Sequence, residues 1–223
     1  MAERAALALE HVVAGYGETV VLDDVSLHVA AGGTLALLGR NGVGKTTLLK
    51  CLMGLVPVRS GQIVWRGQDI TRQPPFMRAS GGMGYVPQGR EIFARLSVED
   101  NLRMGMASRP AREAIPDALF ELFPVLHQMR HRKGGDLSGG QQQQLAIARA
   151  LVSKPKLIIA DEPVSMVDAS LRMSIVNLFG ELRDRLGLSI IYITHDLATA
   201  YYISDRLIIM QKGEIVEAGN ARA

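Results

Sequence analysis

Three short apolar runs divide the chain, and each is typical of a buried parallel strand. They lie at residues 35–38, 157–160 and 188–194. Between the second and third runs, apolar residues recur at helical spacing and stop at Gly187; they are Leu171, Ile175, Leu178, Leu182 and Leu186. This alternation predicts a strand–helix–strand unit, and therefore an α/β sheet.

Two other segments alternate with period two and are followed by glycine, which is typical of antiparallel hairpins. They are residues 62–65 before Gly67 and residues 207–210 before Gly213. From Gly89 to Val152 helical spacing replaces strand-like runs, at residues 98–106, 115–126 and 141–151. We therefore expect a helical insertion in an α/β core, with the chain returning to the sheet at Leu157.

Composition narrows the function classes. The chain has 223 residues, 48% of them hydrophobic, and scattered charges that sum to +3. A substantial core is expected, and the weak charge argues against a nucleic-acid partner. The sequence has neither an apolar stretch of membrane-spanning length nor a secretory pattern at its start, so a cytoplasmic location is expected.

Two sulfur-containing features are assigned from their spacing. The single cysteine, Cys51, excludes an internal disulfide and has the spacing of a helix core residue. Met104 and Met106 follow a polar loop, and we expect them to face a partner.

The segment from Gly39 to Thr47 fits the phosphate-loop pattern G-x-x-x-x-G-K-[ST]. Glycines let N–H groups point at phosphate oxygens, and the helix that follows adds the positive end of its dipole. Lys45 supplies a positive charge, and Thr46 is placed to bind the magnesium ion between the outer phosphates. A nucleoside triphosphate site with Mg²⁺ is predicted, formed by Gly39, Asn41, Gly42, Gly44, Lys45, Thr46 and Thr47.

A second glycine pair opens another helix, in the sequence LSGGQ. Ser138 is the capping residue, and Gly139, Gly140 and Gln141 follow it. One interpretation is an ordinary helix cap. The other is an anion-binding helix end for the nucleotide of another subunit, because one nucleotide does not need two phosphate-binding helix starts.

An acidic pair ends the apolar run at residues 157–160. Asp161 is expected at the C-terminal edge of the sheet, where ligands bind in open α/β folds. There it is placed to hold magnesium, directly or through water, and Glu162 to polarise the attacking water as general base. A simple helix cap is the alternative interpretation.

Together with four further positions, these motifs resemble the ATP-binding cassette (ABC) ATPases from about Leu7 to Gly219. The further positions are Tyr16, Gln88, Asp168 and His195. The resemblance implies that Tyr16 stacks on adenine and that Gln88 links magnesium and water to the helical part. It also implies that His195 contacts the γ-phosphate and that Asp168 shapes the contact between two cassettes. Three of these residues, each taken alone, also have a purely structural interpretation. Tyr16 is then an aromatic residue in a loop, Gln88 an amide on the surface and His195 a histidine at the end of a strand.

The resemblance implies an α/β fold with a P-loop NTPase (RecA-like) core, antiparallel β hairpins and an inserted helical subdomain. One ABC ATPase domain then fills residues 1–223, with the core at 1–88 and 154–223 and the helical subdomain at 89–153. Two cassettes are expected to close head to tail over two ATP molecules. Each site then combines Lys45, Asp161 and Glu162 of one subunit with Ser138 and Gly140 of the other.

The function implied is ATP hydrolysis that drives solute import. Gln88, Glu162 and His195 are the expected catalytic residues, and Thr46, Gln88 and Asp161 the expected magnesium site. The implied partners are a second ATPase subunit, integral membrane permease subunits and, indirectly, a periplasmic or extracellular solute-binding protein. The chain is then peripheral on the inner face of the cell membrane, with residues 89–106 forming much of the groove for a permease helix.

The finer resemblance changes along the chain. Up to about Leu151 the sequence is similar to ATPases of branched-chain amino-acid or urea uptake, and residues 161–165 and 190–200 are similar to those of di- and oligopeptide uptake. A recombined or engineered chain is one hypothesis for this mixture. Two other functions stay open: a soluble cassette ATPase with a non-transport partner, and a nucleotide-binding subunit kept for structure or regulation.

Overall fold

The computed structural model describes residues 5–107, 109–110, 113–165 and 167–221, which form two β-sheets with helices around them. The strands are β1 (Ala5–Tyr16), β2 (Thr19–Ala30), β3 (Thr34–Leu38), β4 (Val58–Trp65), β5 (Gln68–Asp69), β6 (Met83–Val86), β7 (Leu157–Asp161), β8 (Ser189–Ile193), β9 (Arg206–Gln211) and β10 (Glu214–Asn220). The α-helices are α1 (Lys45–Leu52), α2 (Pro75–Ser80), α3 (Val98–Gly105), α4 (Asp117–Leu122), α5 (Pro124–Gln128), α6 (Gly139–Leu151), α7 (Ala169–Leu186) and α8 (Leu197–Ile203).

The six-stranded sheet has the order β10-β9-β3-β8-β7-β6. Strands β9, β3, β8, β7 and β6 are parallel, and β10 pairs antiparallel with β9. Every residue of β3, β7 and β8 is buried, which explains their continuous apolar sequences. The three strands predicted from apolar runs are confirmed, and so is the helix between β7 and β8, which ends at Gly187 with φ +60°.

The second sheet is antiparallel, with the order β2-β1-β4-β5. Its hairpin β4–β5 was predicted, as was β9–β10 in the main sheet. The long strands β1 and β2 were not. Register shifts interrupt their pairing, and His11 and Asp24 both adopt φ +51°, so the period-two pattern is broken in both strands.

Helices replace strands between β6 and β7. The helix predicted at 98–106 is α3, and the one predicted at 141–151 begins two residues earlier, at Gly139. The helix predicted at 115–126 is wrong as a continuous element, because Phe123 has φ −130° and Pro124 starts a new helix. The domain bounds stay a prediction, and residues 1–4, 108, 111–112, 166 and 222–223 lie outside the described part.

Two large hydrophobic cores lie on opposite faces of the six-stranded sheet, and a smaller cluster contains Ala36, Leu38 and Ala200. The first holds α1 between the two sheets, and the second packs α3, α6 and α7 on the other face. Strand β7 contributes to both, because successive side chains point to opposite faces: Leu157 and Ile159 to the first, Ile158 and Ala160 to the second.

The sulfur-containing residues are only partly where the sequence places them. Cys51 is fully buried in the first core, and burial raises the pKa of its thiol to about 11, so the core interpretation is confirmed. Met104 is half exposed, but Met106 is 6% exposed in the second core. The expectation that both methionines face a partner is therefore wrong for Met106, which ends α3 and turns inward.

The guanidinium of Arg78 stabilises the C-terminal end of α1 through hydrogen bonds. It donates to the carbonyl oxygens of Cys51 (2.6 Å) and Leu52 (2.9 Å), and to those of Thr71 (2.9 Å) and Gln73 (3.0 Å) in the preceding loop. The last carbonyls of a helix lack intrahelical partners, and a cation there also interacts favourably with the helix dipole. Arg78 therefore satisfies carbonyls that burial has removed from water.

Arg78→Met is expected to lower the free energy of unfolding by about 3 kcal/mol or more, because several buried carbonyls lose a charged donor. The exposed Arg72→Met serves as the control, with an expected change within about 0.5 kcal/mol. Urea denaturation measures both. Equal losses in the two variants would contradict the role given to Arg78.

Candidate functional site

The phosphate-loop segment joins β3 to α1. Its glycines adopt φ angles that favour glycine: +150° at Gly39, +82° at Gly42 and +107° at Gly44. A Cβ at Gly39 would lie 2.6 Å from the carbonyl oxygen of Met210, so only glycine lets the loop pass β9. Gly44 is the N-cap of α1. The first N–H groups of α1 have no intrahelical partners, which makes this helix start an anion site.

The Lys45 side chain is held inside the loop. It is 6% exposed, and its Nζ donates to the carbonyl oxygens of Gly39 (2.6 Å) and Arg40 (2.9 Å). An ammonium group has three donors, so one remains for an anion. Burial lowers the pKa of Lys45, while the charges of Glu162 and Asp161 act in the opposite direction.

Asp161 ends β7 and meets the first turn of α1. The Thr46 hydroxyl donates to its Oδ2 at 3.2 Å. The residue is 2% exposed, and burial is the main cause that raises the pKa of Asp161; the Thr46 hydrogen bond and Lys45 oppose this rise. The pair brings a hydroxyl and a carboxylate oxygen together beside the phosphate loop.

Glu162 contacts residues at the ends of two other strands, β6 and β8. Its backbone N–H donates to the carbonyl of Ile193 at the end of β8 (3.0 Å), Gln88 Nε2 donates to its Oε2 (3.2 Å), and His195 Nδ1 lies 3.5 Å from its Oε1. Glu162 has φ +46°, a left-handed conformation that costs a non-glycine residue about 1–2 kcal/mol. Such strain persists where the surroundings determine the backbone, and it is frequent at functional sites.

These side chains surround a cavity of about 380 Å³. Its lining residues are Val21, Asn41, Gly42, Gly44, Lys45, Thr46, Thr47, Gln88 and Glu162. A neighbouring cavity of about 680 Å³ contains His195 and is lined by Arg40, Asn41, Val43, Gln211 and Lys212 as well. Both volumes are in the range of small-molecule sites. The phosphate loop, Gln88, the acidic pair and His195 are therefore brought together.

The LSGGQ segment is not part of these two cavities. Gln141 N–H donates to Ser138 Oγ (3.3 Å), and Ser138 N–H donates to Gln141 Oε1 (2.9 Å), which is a complete capping box at the start of α6. A Cβ on Gly140 would clash with the Leu171 side chain, and one on Gly139 would lie 3.2 Å from the Arg90 guanidinium. The helix cap is thus present, and the predicted nucleotide contact stays a prediction.

Two other predicted residues also lie apart from the cavities. Tyr16 ends β1 and is 49% exposed. Asp168 is the N-cap of α7, where it accepts from the Leu171 N–H (3.0 Å) and the Ser170 hydroxyl (2.9 Å). These hydrogen bonds lower the pKa of Asp168, which keeps its carboxylate charged.

Five residues that line the two cavities were not predicted as site residues: Val21, Arg40, Val43, Gln211 and Lys212. Arg40 supplies one of the carbonyls that hold Lys45, but it occupies a variable position of the phosphate-loop pattern. Val21 lies in β2, a strand that was not predicted. Lys212 directly precedes Gly213 in the predicted hairpin turn, and that turn lies beside the loop. A basic residue in a turn at the ligand-binding edge is the signal that would have pointed to Lys212.

The sequence profile of a family described as ABC transporter matches residues 22–165. The match includes the phosphate loop, the LSGGQ segment and the acidic pair. The probable branched-chain amino acid transport ATP-binding protein LivF of Archaeoglobus fulgidus is 37% identical over 210 residues, 93% of this chain and 89% of that protein.

Two relatives from Pasteurella multocida are longer. The Fe(3+) ions import ATP-binding protein FbpC is 38% identical over 220 residues, 97% of this chain and 62% of that protein. The spermidine/putrescine import ATP-binding protein PotA is 36% identical over 219 residues, 97% and 58% respectively. The chain thus spans about three fifths of the length of these two relatives.

Solved structures agree with the family match. A dimeric ATP-binding cassette in a post-hydrolysis state, bound to ADP and Pi, has a TM-score of 0.85 at 25% identity and covers 97% of this chain and 99% of that chain. The ADP conformation of a cassette of an ABC transporter has a TM-score of 0.84 at 30% identity, covering 97% and 91%. The predicted α/β P-loop NTPase fold is confirmed. The family profile covers residues 22–165, LivF matches over most of both chains and solved cassettes share the fold, so this chain belongs to the ABC transporter family and has the fold of its ATP-binding cassette.

Proposed function

We propose that this chain hydrolyses ATP as the ATPase subunit of an ABC importer. One observation carries the proposal: the ends of neighbouring parallel strands place Lys45, Asp161, Glu162, Gln88 and His195 around the phosphate loop. Phosphoryl transfer depends mainly on positioning and on stabilising charge, and this arrangement supplies both.

The residues beside the loop fit a magnesium ion that also binds phosphate. Thr46 and Asp161 offer oxygen ligands, which Mg²⁺ prefers. Within the described residues no group of three or more His, Cys, Asp or Glu is arranged to hold a metal ion. An ion at Thr46 and Asp161 therefore needs phosphate and water as its other ligands, the usual composition of a nucleotide–magnesium site. When bound, it neutralises negative charge on the outer phosphates.

The two carboxylates have different tasks in this proposal. Asp161 is engaged by Thr46 and serves the metal, whereas Glu162 is engaged by Gln88 and lies beside His195. Glu162 Oε1 is the atom that removes a proton from the attacking water, since a general base acts through a hydrogen bond to that proton. The single free donor of Lys45 binds a phosphate oxygen and offsets part of its charge.

A second copy or a similar cassette completes the site. The capped start of α6 lies away from the chain's own two cavities, so its anion-binding capacity is open to a nucleotide held by another subunit. The solved neighbour bound to ADP and Pi is a dimer. We propose a head-to-tail pair in which Ser138 and Gly140 of one subunit face the nucleotide on Lys45 of the other, with Tyr16 on the adenine.

A groove on the helical side is the proposed docking surface for a permease. It measures about 650 Å³, and its exposed aromatic and thioether side chains, Phe93 (44%) and Met104 (49%), suit the apolar face of an incoming helix. The remaining lining is Met53, Ala79, Met83, Gly84, Tyr85, Glu91, Ile92, Gly105, Arg149, Ala150 and Ser153.

None of the helices in the described ranges combines the length and the apolar character that crossing a bilayer requires. In the proposal, the chain lies in the cytoplasm against the permease on the inner face of the membrane. It then reaches a solute-binding protein only indirectly.

The proposed solute is an amino acid. The LivF relative, named for branched-chain amino acid transport, matches nearly the whole of both chains. The relatives named for Fe(3+) and spermidine/putrescine import match with a similar identity but are longer. The expected likeness to peptide and urea uptake has no counterpart among these named relatives. A non-transport cassette is the alternative, but all three relatives are named for import or transport.

Lys45→Ala is expected to weaken the binding of a fluorescent ATP analogue by about 1.5–3 kcal/mol, because the triphosphate loses a buried charge-assisted hydrogen bond. Lys156→Ala, at an exposed lysine before β7, is the control and should bind normally. Titration of fluorescence anisotropy measures both variants. Unchanged affinity in Lys45→Ala would refute the nucleotide site.

Glu162→Gln is expected to slow hydrolysis by about 10²-fold or more while preserving ATP binding, because the amide retains size but cannot act as base. The variant should form a lasting dimer with ATP and magnesium in size-exclusion chromatography, whereas the parent returns to monomer as ATP is consumed. Glu121→Gln, on the exposed side of α4, is the matched control. Absence of a dimer, also with a co-purified ATPase partner, would contradict the head-to-tail arrangement.

Replacing both Phe93 and Met104 by serine is expected to reduce co-purification with membrane subunits, because the groove loses its exposed apolar contacts. ATP affinity should stay within about twofold of the parent, a change smaller than one hydrogen bond. A double substitution at the exposed Val20 and Val216 to serine, outside the groove, is the control. Full assembly of the groove variant would place the docking surface elsewhere.

A further inference from the structure

The backbone directly after Gln88 is strained. Three consecutive residues have positive φ: Gly89 (+83°), Arg90 (+72°) and Glu91 (+45°). Glycine adopts this region readily, but arginine and glutamate do not. Such a segment keeps this conformation only if contacts from the surrounding structure stabilise it, because the non-glycine residues would otherwise adopt negative φ.

Arg149, near the end of α6, provides that hold. Its Nη1 donates to the Glu91 carbonyl at 2.7 Å, and its Nη2 lies 3.3 Å from the Arg90 carbonyl as a second donor. Its guanidinium also lies 5.4 Å from the centre of the Phe93 ring, within the range of a cation–π contact. One side chain therefore engages the carbonyls of both strained non-glycine residues. Hydrogen bonds from a charged donor are stronger than neutral ones, which suits this task.

The same segment is tied to the other end of α6. Arg90 Nη1 donates to Gln142 Oε1 at 3.2 Å, and Gln142 Nε2 donates to the Leu137 carbonyl at 3.1 Å. Residues 90–91 are thus attached to α6 near its start and near its end. A change in the orientation of α6 would therefore reach this segment through both attachments.

Gln88 is the residue that such a hold would affect. It precedes the strained segment, lines the 380 Å³ cavity and donates to Glu162. Arg149 does not line that cavity, but it does line the docking groove. We propose that Arg149 is a positioning residue, which keeps Gln88 against Glu162 by holding the backbone carbonyls of Arg90 and Glu91. The inference rests on the proposed ATP hydrolysis.

The test is a double-mutant cycle of Arg149→Ala and Gln88→Ala, with ATP turnover measured at saturation. Each single variant is expected to lose on the order of tenfold in kcat, the loss of about one charge-assisted hydrogen bond. The double variant should be no slower than Gln88→Ala alone, because Arg149 acts through Gln88. In Arg149→Ala the KM for ATP should change by less than about twofold, since Arg149 does not line the cavity. Losses that multiply in the double variant would overturn the proposal.

The substitution Glu91→Gly tests whether Arg149 acts on the backbone. Glu91→Gly removes the left-handed penalty, so Arg149→Ala/Glu91→Gly should recover about threefold or more of the lost kcat. The matched control is Arg149→Ala/Glu91→Ala, which also removes the carboxylate but keeps the preference of an L-residue; it should recover nothing. Equal recovery in both, or in neither, would contradict a hold on the backbone.

Arg109→Ala separates positioning from packing. Arg109 also donates twice to a backbone carbonyl, that of Ser153 (3.0 and 3.3 Å), but its ion-pair partner is Glu113 and not the segment that follows Gln88. Its loss should lower the melting temperature, and its kcat effect should multiply with that of Gln88→Ala. Arg149→Lys, which retains the charge, should show an intermediate kcat.

The proposed function and the role of Arg149 fail in different ways. If the unsubstituted chain binds ATP but never hydrolyses it, the proposed function is contradicted. If the unsubstituted chain is active and the kcat losses of Arg149→Ala and Gln88→Ala multiply, only the role of Arg149 is contradicted.

Discussion

Parallel strands that end at one edge are the constraint on which the site depends. Strand β3 leads into the phosphate loop, β6 into Gln88, β7 into Glu162 and β8 into His195. Neighbouring parallel strands are less than about 5 Å apart, so groups that follow their carboxyl ends are close without any further device. Hydrogen bonds then set the details, such as the Glu162 N–H that donates to the end of β8.

Burial strengthens the electrostatic interactions at this edge of the sheet, but it also imposes a desolvation penalty on the charged side chains. Lys45 and Asp161 are almost fully buried. Desolvation lowers the pKa of Lys45 and raises the pKa of Asp161, and so favours the neutral form of each side chain. Neighbouring groups oppose these shifts: the charges of Glu162 and Asp161 raise the pKa of Lys45, and the hydrogen bond from Thr46 lowers that of Asp161. A site of this kind is balanced to receive a ligand with several negative charges and a cation, because each would satisfy a buried group of opposite sign.

Backbone strain is found on both sides of one hydrogen bond. Gln88 is followed by three residues with positive φ, and its acceptor, Glu162, also has positive φ. Each strained residue is held by a contact from a distant part of the chain: Glu162 by Ile193, and Arg90 and Glu91 by Arg149. The helix that bears Arg149 also begins with the capped Ser138, so the start of α6 carries the LSGGQ segment and its end lines the groove proposed for a permease. Strained segments persist only where their surroundings determine the backbone, and here α6 supplies part of those surroundings.

Elements that depend on local physics could be predicted from the sequence. Continuous apolar runs identified β3, β7 and β8, helical spacing identified α7, and the glycine pattern identified the phosphate loop and its Lys45. Strands β1 and β2 were not predicted, because bulges disturb the alternation of their apolar and polar residues. The helix predicted at 115–126 is two helices, because Phe123 has a non-helical conformation and Pro124 starts the second one. Which residues contact one another became known only from the folded chain: Gln88 with Glu162, Arg40 with Lys45, and Arg149 with residues 90–91. These contacts join residues that are distant in sequence or bond through backbone carbonyls, and a carbonyl leaves no trace in the identity of its residue.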